Sequence, residues 1–250
     1  MRLIADIFRS LVSARREPGA DSTGRNPGAV APNPLAEYYF ANPGRLMSKW
    51  HHYFEIYHRH FARFRGRKPV VVEIGVFHGG SLEMWRRYFG AGARIVGIDV
   101  EPRCREFEAE GITVLTGDQS DRDFLASVRE RFPQIDIVID DGGHQMRQQI
   151  VSFEELYPHL QPHGVYLCED IHTSMWPEYG GGYRREGSFL EYGKGLVDCL
   201  YAWHTREPER LSVNAMTLST YALHFYDSVL VVEKRPIEQP RDSMTGKPAF

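Results

Sequence analysis

The sequence has few cysteines, no basic surplus and no long apolar run. Its three cysteines, Cys104, Cys168 and Cys199, include no Cys-x-x-Cys pair and cannot all pair with one another. This excludes a disulfide framework or a thiolate zinc site and fits a reducing cytoplasm. No apolar stretch approaches the roughly 20 residues of a membrane span. The formal net charge of -3 argues against a binder of duplex nucleic acid.

The composition instead fits one large α/β domain preceded by extra segments. Residues 1–34 combine apolar positions at helical spacing with a Gly-, Pro- and Asn-rich stretch, which predicts an N-terminal helix and a flexible arm. Asp6 and Arg9 interrupt the apolar positions. A helix docked on its own domain or on a second subunit is therefore favoured over a signal peptide or a membrane-surface helix. We expect a homo-oligomer.

Residues 35–67 are predicted to form a helical lead-in, with a helix from about Met47 to Arg63, and residues 237–250 a tail. Between them, in residues 68–236, strands and helices alternate. Strands are predicted at 69–74, 93–100, 112–116, 135–140 and 164–168, and helices at 80–88, 122–132, 145–160 and 187–204. The pattern predicts a parallel sheet covered on both faces. The last strands, 217–225 and 229–234, are separated only by a turn and must be antiparallel. The predicted fold is a Rossmann-like α/β domain with a seven-stranded, mostly parallel sheet and a C-terminal antiparallel hairpin.

A glycine loop follows the first strand and predicts a nucleoside pocket. Asp99 ends the second strand, where a carboxylate can accept hydrogen bonds from both ribose hydroxyls. A dinucleotide fingerprint would need a glycine where Phe77 stands. The pattern therefore favours S-adenosylmethionine over NAD. The residues predicted to bind this cofactor are Glu73, Gly75, Gly79, Ser81, Asp99, Asp118, Gln119 and Asp140.

The fourth and fifth strands end in acidic residues followed by histidines. Because the carboxyl ends of neighbouring parallel strands share one rim, Asp141, Glu169 and Asp170 are predicted as ligands of a hard cation such as Mg²⁺. Adjacent strand residues face opposite ways, so Glu169 and Asp170 can converge only if the strand has already ended. His144 is predicted as the general base, since imidazole titrates near neutral pH; the alternative is a helix-capping or metal-supporting histidine.

Two further histidines, His78 and His172, lie on the same predicted rim and are secondary candidates. After the fifth strand, Trp176 and Tyr179 precede three glycines, which predicts a mobile lid that stacks on a substrate. The alternative is an ordinary surface loop with a buried tryptophan.

The motifs Asp-Asp-Gly-Gly-His after strand four and Glu-Asp-Ile-His-Thr-Ser after strand five carry a family resemblance. They resemble the class I, Mg²⁺-dependent sugar O-methyltransferases of macrolide and polyketide pathways, of the mycinamicin, spinosyn and rhamnosyl-tetracenomycin type, and are similar to the cephalosporin hydroxylase-like group. The resemblance implies that Asp141, Glu169 and Asp170 bind Mg²⁺, that His144 is the base, and that the substrate is a small-molecule glycoside carrying a deoxysugar. A catechol-type O-methyltransferase, a redox enzyme and a non-catalytic cofactor-binding protein are the alternatives.

Overall fold

The computed structural model describes residues 33–250, so the helix and nearly all of the arm predicted for residues 1–34 lie outside the described residues. The α-helices are α1 (Pro34–Phe40), α2 (Tyr53–Phe61), α3 (Gly80–Phe89), α4 (Arg122–Arg131), α5 (Met146–Leu156), α6 (Phe189–Tyr201) and α7 (Ala215–Ser219). The strands are β1 (Val70–Ile74), β2 (Arg94–Asp99), β3 (Ile112–Thr116), β4 (Ile135–Asp140), β5 (Leu160–Cys168), β6 (Thr220–Tyr226) and β7 (Val229–Lys234). Short 3₁₀ turns fill several connections, among them Pro102–Phe107, Ile171–Met175 and Pro177–Tyr179.

The seven strands form one sheet in the order β3-β2-β1-β4-β5-β7-β6. β1 to β5 pair in parallel, and β7 runs antiparallel to both β5 and β6. The predicted seven-stranded, mostly parallel sheet with its C-terminal antiparallel hairpin is confirmed. The strand order reverses between β1 and β4, and in such sheets ligands bind beyond the carboxyl ends of the strands at that point.

Helices cover both faces of the sheet, so the central strands are buried on both sides. On β1, Val71 packs with Trp85 of α3 in one core, while Val72 packs with Leu125 of α4 in the other. Each large apolar side chain buried in this way contributes about 1.5–3 kcal/mol relative to exposure. The first core also receives α1 and α2, and the second receives α5 and α6. The result is a three-layer sandwich of helices, sheet and helices, and the two cores hold the carboxyl ends of the strands in place.

The predicted helix from Met47 to Arg63 is wrong at its start, because α2 begins only at Tyr53. From Leu46 to Trp50 the chain forms neither helix nor strand, and burial alternates: Met47 and Lys49 are buried, while Leu46, Ser48 and Trp50 are exposed. This alternation has the period of two that an extended chain imposes. This path lets Lys49 reach into the protein below the carboxyl ends of the strands.

Other boundaries differ by a few residues. α5 ends at Leu156, earlier than predicted, and β5 begins at Leu160 instead of residue 164. The short helix α7 precedes β6, which therefore starts at Thr220. Within residues 33–250, no helix combines the length and hydrophobicity needed to cross a membrane.

Candidate active site

The loops that follow β1 and β4 touch at the point where the strand order reverses. Gly75 has a left-handed backbone (φ 92°), and its amide donates to the Ile98 carbonyl at 2.8 Å. A Cβ atom at Gly75 would overlap the carbonyl oxygen of Asp141. The Asp141 amide in turn donates to the Ile74 carbonyl at 2.9 Å. Only glycine permits this contact, which places the glycine loop directly beside the acidic rim.

The glycine loop is shaped by alternate left-handed residues and held by Asp99. Gly75, Phe77 and Gly79 all have positive φ. The Asp99 carboxylate accepts hydrogen bonds from the amides of Val76 (2.8 Å) and Phe77 (3.2 Å). Its other oxygen accepts from the Glu101 amide at 2.9 Å. The structure thus places Asp99 at the predicted position, where it organises the loop's backbone.

Glu73 and Ser81 are brought together beneath this loop. The fully buried Glu73 carboxylate accepts hydrogen bonds from the Ser81 hydroxyl at 2.8 Å and from the Trp85 indole at 2.9 Å. Burial raises the pKa of Glu73, and the Lys49 charge and these two hydrogen bonds oppose that rise. Both residues therefore brace the start of α3, and their contact with the cofactor stays a prediction.

Gln119 and Asp140 form a second buried support. The side-chain nitrogen of Gln119 donates a hydrogen bond to Asp140 at 2.9 Å. Its side-chain oxygen accepts one from the backbone amide of Gly143 at 2.8 Å. The Tyr166 hydroxyl donates to the other Asp140 oxygen at 2.9 Å. Burial raises the pKa of Asp140 to about 6, against the effect of these two donors. Asp118, by contrast, is exposed. Its carboxylate accepts hydrogen bonds from the backbone amide and the hydroxyl of Ser120, which closes a turn.

Asp141, His144 and Asp170 converge at the carboxyl ends of β4 and β5. One ligand atom of each lies within 4.8 Å of the others. His144 Nε2 is 3.8 Å from Asp141 Oδ1 and 3.6 Å from Asp170 Oδ2. His144 has a left-handed backbone (φ 55°) that turns its ring back toward the rim. The predicted base and two of the three predicted metal ligands thus share one site.

Asp170 shows how two adjacent residues after a strand can face one rim. β5 ends at Cys168, and Asp170 then adopts a left-handed conformation (φ 53°). The change of backbone direction points its carboxylate toward His144. The Tyr53 hydroxyl of α2 donates to Asp170 Oδ1 at 2.6 Å and fixes its orientation. Burial and the Asp170 charge raise the pKa of Tyr53, so it remains a donor.

Glu169 lies deeper and is paired with a lysine that the sequence pattern does not single out. Lys49 Nζ is 3.0 Å from both Glu169 oxygens and 2.6 Å from Asp141 Oδ2. It also lies 3.7 Å from Glu73 Oε1. Burial lowers the pKa of Lys49, but the charges of Asp141, Glu169 and Glu73 outweigh this and raise it. Glu169 therefore stands outside the three-residue group, and its role as a metal ligand stays a prediction.

The donor set of the rim fits a hard divalent cation. Three carboxylates surround the single ammonium group of Lys49, and Asp170 adds a fourth negative charge nearby. Such an excess of like charge is relieved by a cation. In the described residues, the buried Nδ1 atoms of His144 and His172 also have no hydrogen-bond partner. Carboxylate oxygens are the ligands that Mg²⁺ prefers.

An aromatic wall made of Trp50, His172, Trp176 and Tyr179 borders this rim. The ring centroids are 6.2 Å apart for Trp50 and His172, 4.8 Å for His172 and Trp176, and 5.8 Å for Trp176 and Tyr179. Trp50 is 53% exposed and Trp176 is 38% exposed. The predicted lid segment folds into two 3₁₀ turns. Its tryptophan is not buried, which disfavours the alternative of an ordinary loop with a buried tryptophan.

Sequence reasoning missed Lys49, Trp50 and Tyr53, and placed His78 on the rim. His78 instead packs against Phe77, at 4.3 Å between ring centroids, and is exposed. Lys49 and Trp50 fell inside a predicted helix, where neither position is distinctive. The alternation of buried and exposed positions from Leu46 to Trp50 is the one local signal that could have revealed an extended segment.

The sheet order and this site define the class of protein as an α/β methyltransferase fold. Residues 72–171 match the family described as "Methyltransferase domain". The match covers the glycine loop and the acidic rim, and it agrees with the resemblance that the motifs predicted.

The similar proteins of known function include two O-methyltransferases. The 8-demethyl-8-alpha-L-rhamnosyl tetracenomycin-C 2'-O-methyltransferase of Streptomyces olivaceus is 40% identical over 75% of this chain and 52% of its own length. The demethylmacrocin O-methyltransferase of Streptomyces fradiae is 35% identical over 76% of this chain and 51% of its own length. The chain thus spans about half the length of these relatives.

A solved structure agrees with both the fold and the family. The MycE methyltransferase from the mycinamycin biosynthetic pathway, in complex with Mg and SAH, superposes with a TM-score of 0.73 at 32% identity. The match covers 84% of this chain and 56% of that one. The chain is therefore related to O-methyltransferases of macrolide and polyketide pathways.

Proposed function

We propose that this protein is a Mg²⁺-dependent O-methyltransferase that moves a methyl group from S-adenosylmethionine to a hydroxyl of a rhamnose-like deoxysugar on a glycosylated polyketide or macrolide. The observation that carries the proposal is the convergence of Asp141, His144 and Asp170 within 4.8 Å, beside the glycine loop. A cofactor bound at the glycine loop and a hydroxyl at this rim would be neighbours. The relatives named as rhamnosyl-tetracenomycin and demethylmacrocin methyltransferases support the substrate class.

The chain's own residues supply proton transfer and orientation. Asp141 and Asp170 would hold Mg²⁺, which when bound polarises a hydroxyl oxygen and makes its proton more acidic. His144 Nε2 faces both carboxylates and would take the hydroxyl proton, while S-adenosylmethionine would supply the methyl group and leave as its thioether. Tyr53 keeps Asp170 in place through its 2.6 Å hydrogen bond. Positioning of the two reactants supplies the largest share of the rate gain.

The aromatic wall suits a sugar attached to a ring system. Its exposed members Trp50 and Trp176 present flat apolar faces beside a polar rim, and sugars offer one apolar and one polar face. The wall therefore supports a glycoside over a small phenol. The catechol-type and cephalosporin hydroxylase-like alternatives have no comparable supporting observation in the part of the chain that the structure describes.

The test is a substrate panel with matched variants. Glycosides, their sugar-free aglycones and catechols are each incubated with the protein, S-adenosylmethionine and Mg²⁺, and the products are analysed by mass spectrometry. Methylation of glycosides alone, lost with EDTA and restored by Mg²⁺, supports the proposal. Methylation of catechols alone would replace it with a small-phenol substrate. Hydroxylated products would indicate a redox enzyme.

We also propose a homo-oligomer working in a reducing cytoplasm. Phe40 and Leu46 of the lead-in are 65% and 59% exposed, which supports a contact with a second subunit. Cys104, Cys168 and Cys199 are all unpaired, which supports a reducing environment. Light scattering after size-exclusion chromatography tests the oligomer. A monomer at micromolar concentration would contradict it.

A further inference from the structure

A second group of metal-ligating side chains lies away from the rim, between α2 and the C-terminal hairpin. It consists of His60 on α2, His224 on β6 and Glu233 on β7, and we call it the hairpin cluster. His60 follows Tyr53 by seven residues, which is about 10 Å along a helix. The hairpin cluster shares no residue with the rim. None of the steps proposed for methyl transfer uses it.

The geometry of the hairpin cluster fits a small tetrahedral cation. His60 Nδ1 is 2.8 Å from Glu233 Oε1, and His224 Nε2 is 3.3 Å from the same oxygen. All three ligand atoms lie within 4.8 Å of one another. Ligands at about 2.0–2.1 Å from a tetrahedral Zn²⁺ are roughly 3.3 Å apart. Only small side-chain movements are therefore needed to close the three atoms around an ion.

An unpaired nitrogen points to a missing ligand. His224 Nε2 is shielded from solvent and has no hydrogen-bond partner among residues 33–250, because its approach to Glu233 is poorly aligned. A buried polar atom without a partner is costly, and an ion bound to that atom would remove the cost. The neighbouring His60 is only 2% exposed. The cluster is thus built into the packing between α2 and the sheet.

The partners around the cluster prepare its atoms for metal binding. The Tyr226 hydroxyl lies 2.9 Å from His60 Nε2 and can accept a hydrogen bond from Nε2–H in the tautomer whose Nδ1 lone pair is free to bind a metal. Arg63 holds the other Glu233 oxygen at 3.2 Å.

We propose that His60, His224 and Glu233 form a transition-metal site, with Zn²⁺ as its fitting ion, that fastens α2 to the β6–β7 hairpin. Two imidazole nitrogens and one carboxylate suit Zn²⁺, whereas Mg²⁺ prefers oxygen ligands alone. The protein then has two cation sites of different chemistry. Because α2 also carries Tyr53, the hairpin site stabilises the helix that positions Asp170.

Isothermal titration with Zn²⁺ in excess Mg²⁺ tests the proposal. The titrated protein is the full chain with Asp141→Asn and His144→Asn, which silence the rim. We expect one equivalent of Zn²⁺ to bind, and Co²⁺ in its place to give the intense visible absorption of a tetrahedral site. Adding His224→Ala should weaken Zn²⁺ binding about 10- to 100-fold. The exposed His159→Ala change should leave it unaltered.

Two further readouts keep the proposal falsifiable. His224 is partly exposed, so its alanine variant is expected to fold, and circular dichroism checks this. Zn²⁺ should raise the Tm of the rim-silenced protein but not that of its His224→Ala version. No Zn²⁺ binding in the rim-silenced protein would show a hydrogen-bond network only and overturn the proposal. Binding that is unchanged by both His224→Ala and Glu233→Gln would do the same.

Discussion

Lys49 Nζ lies 3.0 Å from both carboxylate oxygens of Glu169, and both side chains are almost fully buried. The lysine comes from the lead-in, and the glutamate follows the last parallel strand. Burial and the nearby Asp141 raise the pKa of Glu169, and the Lys49 charge opposes this. The ammonium group of Lys49 therefore already places one positive charge beside the acidic rim.

Replacing this lysine should destabilise the protein and strengthen its response to metal. In Lys49→Met, Glu169 and Asp141 lose their buried partner, and removing one partner of a buried pair costs about 3–5 kcal/mol. Mg²⁺ should recover part of this loss, because the ammonium no longer repels it. Urea unfolding with and without Mg²⁺ measures both effects. The Mg²⁺-induced gain should exceed that of the wild type.

A surface lysine provides the control for that experiment. Lys194 pairs with Glu191 one turn earlier on α6 and is 48% exposed. Lys194→Met should cost no more than about 1 kcal/mol and leave the Mg²⁺ response unchanged. An equal Mg²⁺ response in Lys49→Met and the wild type would show that Lys49 does not act on the metal site.

Replacing His144 should remove catalysis but leave the cofactor in place. Asparagine tolerates the left-handed backbone that position 144 requires. His144→Asn should therefore fold, while kcat falls about 10²- to 10⁴-fold through loss of the proton acceptor. S-adenosylmethionine affinity should stay within about twofold by titration calorimetry.

His163 gives a matched control, since it also has positive φ and lies on the surface. His163→Asn should retain wild-type kcat. If His144→Asn kept full turnover, or if both variants lost it equally, His144 would not be the base.

A methyl group at Gly75 should separate the glycine loop from the rim. Gly75→Ala forces a Cβ onto the Asp141 carbonyl and strains a left-handed residue. Gly66→Ala is the control, because its φ is +72° but no atom lies within 4 Å of the added Cβ. Gly66→Ala should cost about 1–2 kcal/mol. Gly75→Ala should cost more and weaken S-adenosylmethionine binding about tenfold or more; equal costs would mean the two loops do not touch.

Truncation of the aromatic wall should raise KM for a glycoside. Trp50→Ala and Trp176→Ala each remove a flat apolar face, and we expect a roughly three- to tenfold rise in KM. The affinity for S-adenosylmethionine should not change, because the wall borders the rim and not the glycine loop. Tyr201→Ala, an exposed aromatic on α6, serves as control. An unchanged KM in both tryptophan variants would show that the sugar does not bind against this wall.

Cysteine reactivity should depend on pH in a way set by burial. Burial, with the nearby Asp99 charge, raises the pKa of Cys104 to about 12 from 9.0. Native Cys104 should therefore resist alkylation at pH 8, while the half-exposed Cys199 reacts. The Cys104 thiol ionises at a lower pH in the unfolded chain than in the folded one. Its ionisation should therefore lower the free energy of unfolding as the pH rises from about 9 to 12. Mass spectrometry of iodoacetamide-treated protein locates the modified residues, and early labelling of Cys104 would contradict its burial.

The fold could be predicted from the sequence because each of the five parallel strands contains a short apolar run and ends in, or is followed directly by, glycine or an acidic residue. Asp141, His144 and Asp170 could be placed together because neighbouring parallel strands end at one rim. Lys49 could not be found, since its partners lie 92 and 120 residues further along the chain. The left-handed conformation of Asp170 could not be predicted either, because an aspartate in the sequence does not by itself specify that conformation.

Mass spectrometry of a rhamnosylated polyketide incubated with the protein, S-adenosylmethionine and Mg²⁺ measures the proposed reaction most directly. We expect the glycoside to gain the mass of one methyl group on its sugar, with fragmentation showing an unmodified aglycone. The gain should vanish with EDTA and in His144→Asn. Methylation of the aglycone, or transfer that persists in EDTA with His144 replaced, would contradict metal-assisted sugar O-methylation at this rim.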